Sequence, residues 1–131
     1  MTYERNVSSR IFVIEDEPDI RNILREILEF EGFAVESAGN GREALDMLER
    51  IPRPDLILLD LLMPVMNGSE FRQAQLASPG LASIPVVVMS ADRNPRMNLG
   101  EAGNEKVTCL TKPLDLNTLL EEIKKYSRSA S

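Results

Sequence analysis

Five short apolar runs recur along this chain, and between them the hydrophobic residues return every three or four positions. The runs are Ile11 to Ile14, the alternating "FAVES" from Phe33, Leu56 to Leu59, "IPVVVMS" ending at Ser90, and "VTCLT" leading into Lys112-Pro113. Runs of this length read as strands, the one from Leu56 as buried on both faces and the fourth as rich in β-branched residues. The intervening stretches read as amphipathic helices. In the first, Ile20, Ile23, Leu24, Ile27 and Leu28 share a stripe, with Pro18 in the first turn and Gly32 at the stop. "NGREALDMLERI" carries Ala44, Leu48 and Ile51 on one side, and a third, less regular helix spans Asn67 to about Leu76. Asp115 caps a last helix bearing Leu116, Leu119, Leu120 and Ile123, with Lys124, Lys125 and Arg128 near its end. The stretch from Asp92 to Lys106 holds Pro95, Gly100 and Gly103, so any helix there is short. Strands alternating with helices imply an α/β domain of parallel βαβ units with right-handed crossovers.

The third run poses a chemical question, because "LILLD" ends in Asp60. A carboxylate costs several kcal/mol, order of magnitude, to bury without a partner. In open parallel sheets the site lies at the carboxyl ends of the strands. The first strand ends at Glu15-Asp16, the third at Asp60, the fourth at Ser90 and the fifth at Lys112. If the first and third strands are neighbours, three carboxylates converge and repel. A hard divalent cation removes that repulsion, and an oxygen-only ligand set suits Mg²⁺. Lys112 adds a positive charge on a flexible stem. Asp60 could then act as a nucleophile towards phosphorus, with the metal and Lys112 offsetting charge on the phosphoryl group and Ser90 hydrogen-bonding it.

Composition narrows the field. The 131 residues include no histidine, so His-based catalysis and His–metal sites are excluded, and any phosphohistidine belongs to a partner. The single cysteine allows no internal disulfide, which fits a reducing compartment. A net charge of −6 argues against direct nucleic-acid binding. No run approaches the roughly 20 apolar residues that span a bilayer, and "MTYERNVSSR" lacks the apolar core of a signal peptide.

The motifs together resemble the receiver domains of two-component response regulators, chemotaxis-regulator-like, over about residues 10–126. They are Glu15-Asp16, Asp60 in "LLDLLMPVMNG", Ser90 in "VVVMSA" and Lys112-Pro113 in "LTKP", and the 44, 30 and 22 positions between Asp16, Asp60, Ser90 and Lys112 also agree with the family's spacings. The resemblance implies a flavodoxin-like, doubly wound five-stranded parallel sheet of order 2-1-3-4-5 with helices on both faces. Flexible tails would occupy residues 1–9 and 127–131. It also implies that Asp60 is the phosphoacceptor and that Asp16, Asp60 and the Leu62 backbone carbonyl ligate Mg²⁺, with Glu15 acting largely through water. Lys112 would contact the phosphoryl group, and the Lys112–Pro113 bond would be cis. Leu62 and Asp92 would border the path of the hydrolytic water. Ser90 would be drawn inward on phosphorylation. Cys109 stands where the family usually has an aromatic switch residue, so movement of the Asp92–Lys106 backbone is the expected signal. The implied partners are a sensor histidine kinase or histidine phosphotransfer protein and a downstream protein target, and the domain itself is expected in the cytoplasm, with no membrane insertion.

Other readings compete. An Asp-nucleophile phosphatase typically has a second acid two residues after the nucleophile, where this chain has Leu62. A flavodoxin-type FMN carrier needs a Ser-, Thr- and Gly-rich phosphate loop, whereas "EDEPD" repels phosphate. A phosphorylation-independent interaction module, or a receiver excised from a hybrid kinase or multidomain regulator, remains as an alternative. Cys109 reads as a small apolar strand residue, and Met63, Met66, Met89 and Met97 as packing residues.

Overall fold

The computed structural model of the protein describes residues 9–60, 66–90, 107–111 and 115–125. These form five strands and four helices: β1 (Arg10–Ile14), α1 (Pro18–Phe30), β2 (Ala34–Ala38), α2 (Gly41–Leu48), β3 (Leu56–Asp60), α3 (Gly68–Leu76), β4 (Val86–Ser90), β5 (Val107–Thr111) and α4 (Leu116–Lys124). The strands make one parallel sheet of order β2-β1-β3-β4-β5. This is the doubly wound, flavodoxin-like order implied by the sequence.

Each apolar run serves both faces because successive side chains alternate across a strand. Phe12, Ile14, Ile57, Leu59, Val86 and Val88 face one layer with Ala44 and Leu48 of α2 and Phe71 of α3. Ile11, Val13, Leu56, Leu58, Val87 and Met89 face the other, with Leu24 and Leu28 of α1 and Leu119 and Ile123 of α4. Nearly all of these residues are fully buried. Met89 and the half-buried Met66 pack in these clusters, as the sequence led one to expect.

Helix ends follow their local chemistry. Pro18 opens α1, and Gly32, at φ 99°, closes it. Asn40 caps α2, and Asn67 with Glu70 forms a reciprocal capping box at α3. The irregularity of α3 has a physical cause. Its inner side buries Arg72 and Gln75 beside Phe71, so it lacks a simple apolar stripe. Arg72 Nη1 donates to Gln75 Oε1 at 2.8 Å, and Gln75 Nε2 donates to the carbonyls of Leu81 and Ile84.

Some boundaries differ from the sequence reading. Phe33 precedes β2, its N–H donating to the Leu28 carbonyl in the helix-closing turn. Helix α2 ends at Leu48, short of Ile51, which packs on the core from beyond the helix. Ile23 and Leu116 are exposed at 55% and 44%, so the apolar stripes of α1 and α4 are narrower than their spacing suggests. The segment Asp92–Lys106 lies outside the described residues.

Candidate functional site

Register brings the acidic residues together. In β1 and β3, Ile11 pairs with Leu56 and Ile14 with Leu59. One further step sets Glu15 abreast of Asp60. The alternation of strand side chains then puts both on the α1 and α4 side of the sheet. Candidate ligand oxygens of Glu15, Asp16 and Asp60 all lie within 4.8 Å of one another. Glu15 is fully buried, Asp60 is 4% exposed and Asp16 is half-buried.

Glu15 is held from three directions. Its N–H donates to the Ala38 carbonyl at 3.1 Å, extending the β1–β2 ladder by one bond. Its carboxylate Oε2 accepts from the Glu17 N–H at 3.2 Å, and its carbonyl accepts from Arg21 Nη1 at 2.8 Å. Glu17 is the N-cap of α1 but makes no side-chain capping bond. Met66 is fastened to α2: the Gly41 N–H donates to the Met66 carbonyl at 3.1 Å. A Cβ at Gly41 would lie 2.9 Å from that carbonyl oxygen and 2.8 Å from Met66 Cγ, closer than real side chains pack.

Three carboxylates this close, two of them removed from water, repel one another, and a cation among them would offset that repulsion. Their donors are oxygen only, with no nitrogen or sulfur among them. That set fits a hard cation of the Mg²⁺ type.

The sequence model of the response regulator receiver domain matches residues 11–124. The chain belongs to the response regulator receiver domain family. Response regulator MprA of Mycolicibacterium vanbaalenii is 35% identical over 119 residues, covering 91% of this chain and 50% of that protein. Sporulation initiation phosphotransferase F of Bacillus subtilis is 31% identical over 120 residues, covering 92% of this chain and 94% of that protein. The crystal structure of response regulator protein TrrA from Thermotoga maritima, in complex with Mg²⁺-BeF, matches with a TM-score of 0.77 at 30% identity, covering 90% of this chain and 98% of that one. The chain spans about half the length of the MprA relative it matches.

The acidic pocket fits the phosphorylation site of a receiver domain, a two-component signalling module. At the same end of the sheet, Ser90 closes β4 and is buried, one position beyond the Asp60–Met89 pair. Cys109 sits half-buried in β5 opposite Val88 and packs against the α2 and α3 layer. Leu62, Asp92, Lys112 and Pro113 lie outside the described residues, as do Met63 and Met97. Asp115 caps α4, its side chain accepting from the Thr118 hydroxyl at 2.7 Å and the Thr118 N–H at 3.1 Å. Those two bonds, the hydroxyl first, hold the Asp115 carboxyl below its ordinary value. Sequence reasoning missed Arg21 and Gly41. The pairing of Arg21 with Arg25 one turn on is visible in the sequence, but nothing there marks a backbone carbonyl as its target.

Proposed function

We propose that this receiver domain takes a phosphoryl group from a partner's phosphohistidine onto Asp60 and, in doing so, changes the surface it offers a downstream protein. The observation that carries the reading is the convergence of Glu15, Asp16 and Asp60 at the carboxyl ends of β1 and β3. An Asp60 oxygen attacks phosphorus, the bond from phosphorus to the histidine nitrogen breaks, and the nitrogen keeps the electron pair. Hydrolysis by water later returns the carboxylate and inorganic phosphate. The protein thus promotes its own phosphorylation and dephosphorylation. Asp16, Asp60, the Leu62 carbonyl and, largely through water, Glu15 would hold Mg²⁺, which supplies charge to offset that of the phosphoryl oxygens. Lys112 contacts the same oxygens, and Ser90 hydrogen-bonds them. The working unit is residues 10–126, between two tails.

The absence of histidine supports an external phosphodonor, a sensor kinase or phosphotransfer protein. The absence of direct nucleic-acid contact fits the net charge of −6, and a reducing, cytoplasmic setting fits the single cysteine. No helix among the described residues is long and apolar enough to cross a membrane.

Incubation with acetyl phosphate and Mg²⁺, read by intact mass, tests the assignment. The parent gains one phosphate, and both Asp60→Asn and chelation of the metal abolish the gain. Uptake by Asp60→Asn equal to the parent's would refute it. Leu62, two residues after Asp60, cannot orient water by hydrogen bonding. Leu62→Asn is therefore expected to lose its phosphate faster than the parent. Equal or slower decay would count against a water path there.

A further inference from the structure

We infer that Arg21 is a positioning residue for the acidic cluster, an inference that rests on the metal-site reading above. Its guanidinium donates to the carbonyl of Glu15, and among the described residues this is its one hydrogen-bond partner. That carbonyl belongs to the peptide unit joining Glu15 to Asp16. A peptide unit is planar and carries both flanking Cα atoms. Holding its oxygen therefore fixes the points from which two of the three carboxylates project. The Arg21 backbone is anchored in the first turn of α1, where its N–H donates to the Glu17 carbonyl. Gly39 leaves it room: a Cβ there would stand 3.2 Å from Nη1.

Arg25 supplies the internal comparison. One turn further along α1, it donates to the Val35 carbonyl and to Ser37 Oγ. It fastens the same helix to the same edge of the sheet without touching Glu15. A purely structural role would make the two arginines alike. A purely electrostatic role predicts the opposite sign, because removing a cation beside the cluster favours Mg²⁺. Positioning predicts that loss of Arg21 alone weakens Mg²⁺ binding.

The experiment is calorimetric titration of MgCl₂ into the parent, Arg21→Gln, Arg25→Gln and Arg21→Lys at fixed ionic strength, with melting curves recorded on each. Arg21→Gln should raise the Mg²⁺ dissociation constant about tenfold, the low end for loss of a group that orients a ligand. Arg25→Gln should lower the melting temperature but leave Mg²⁺ affinity within about twofold of the parent. Arg21→Lys keeps the charge and offers a single flexible donor, so it should fall between, at about threefold weaker. Should Arg21→Gln not fold, the lysine variant decides. Unchanged or tighter binding by the Arg21 variants, or equal weakening by Arg25→Gln, overturns the inference while leaving the metal site intact. No saturable uptake by the parent overturns the metal site and this inference with it.

Discussion

A carboxylate at the end of a fully apolar strand is expensive, and this chain places three of them together. The repulsion among Glu15, Asp16 and Asp60 is a stability cost carried for function. Neutralising one member should therefore stabilise the metal-free protein. Asp60→Asn is expected to raise unfolding stability without Mg²⁺ by about 0.5–3 kcal/mol, the range for coupled neighbours. Urea unfolding in a chelator measures it, and a less stable variant would contradict the repulsion argument. The three acids were legible in the sequence because each closes an apolar run or directly follows one. Arg21 was not, because an arginine on an amphipathic helix looks the same whether it meets water or a carbonyl.

Among the elements, the caps matter most. The Asn67–Glu70 box starts α3 seven positions after Asp60 in the sequence. Asn67→Ala should lower the urea midpoint, with the slope unchanged, by the equivalent of about 0.5–2 kcal/mol. Gly41→Ala should do more than a simple cap loss. Its methyl group meets the Met66 backbone, which cannot swing aside as a side-chain tip can. That variant is expected to lower both the melting temperature and the rate of phosphate uptake from acetyl phosphate. Normal uptake would show that the Met66 anchor is irrelevant to Asp60. At α4, the Asp115 carboxyl titrates below its ordinary value of 3.8 when folded. Its contribution is present above that value and is lost as pH falls through the lowered one. The destabilisation caused by Asp115→Ala should thus be constant near neutrality and fade in acid. Proline, glycine and Asn/Asp signals placed most of these ends within a few residues. The missed boundary at Leu48 and the exposed Ile23 and Leu116 reflect which face a neighbour covers, and helical spacing alone does not record this.

For the whole molecule, strand type and sheet order were legible from the alternation of runs and from the family resemblance. Register was not, since an unbroken apolar strand satisfies either face. Ligand binding to the folded state alone adds about 2.7 kcal/mol at a hundredfold excess over the dissociation constant. Saturating Mg²⁺ should therefore raise the melting temperature of the parent by several degrees. A metal-independent melt would refute the site. If the switch runs through the backbone of residues 92–106, beryllofluoride with Mg²⁺ should alter amide exchange most strongly there, and an unchanged segment would shift attention to another face. The pairing of β1 with β3 also bears on how such a chain can change length over evolution. Glu15 meets Asp60 only while both strands keep step. One residue inserted within Ile11–Ile14 or Leu56–Leu59 would turn one of the two acids to the opposite side of the sheet. Two would restore the side but displace the acid along the strand by about 6.6 Å. The Pro52–Pro54 connection precedes β3 at the far end from the acids, so extra residues there leave the pairing intact. Viable insertions should accordingly collect in that connection and be missing from the two strands.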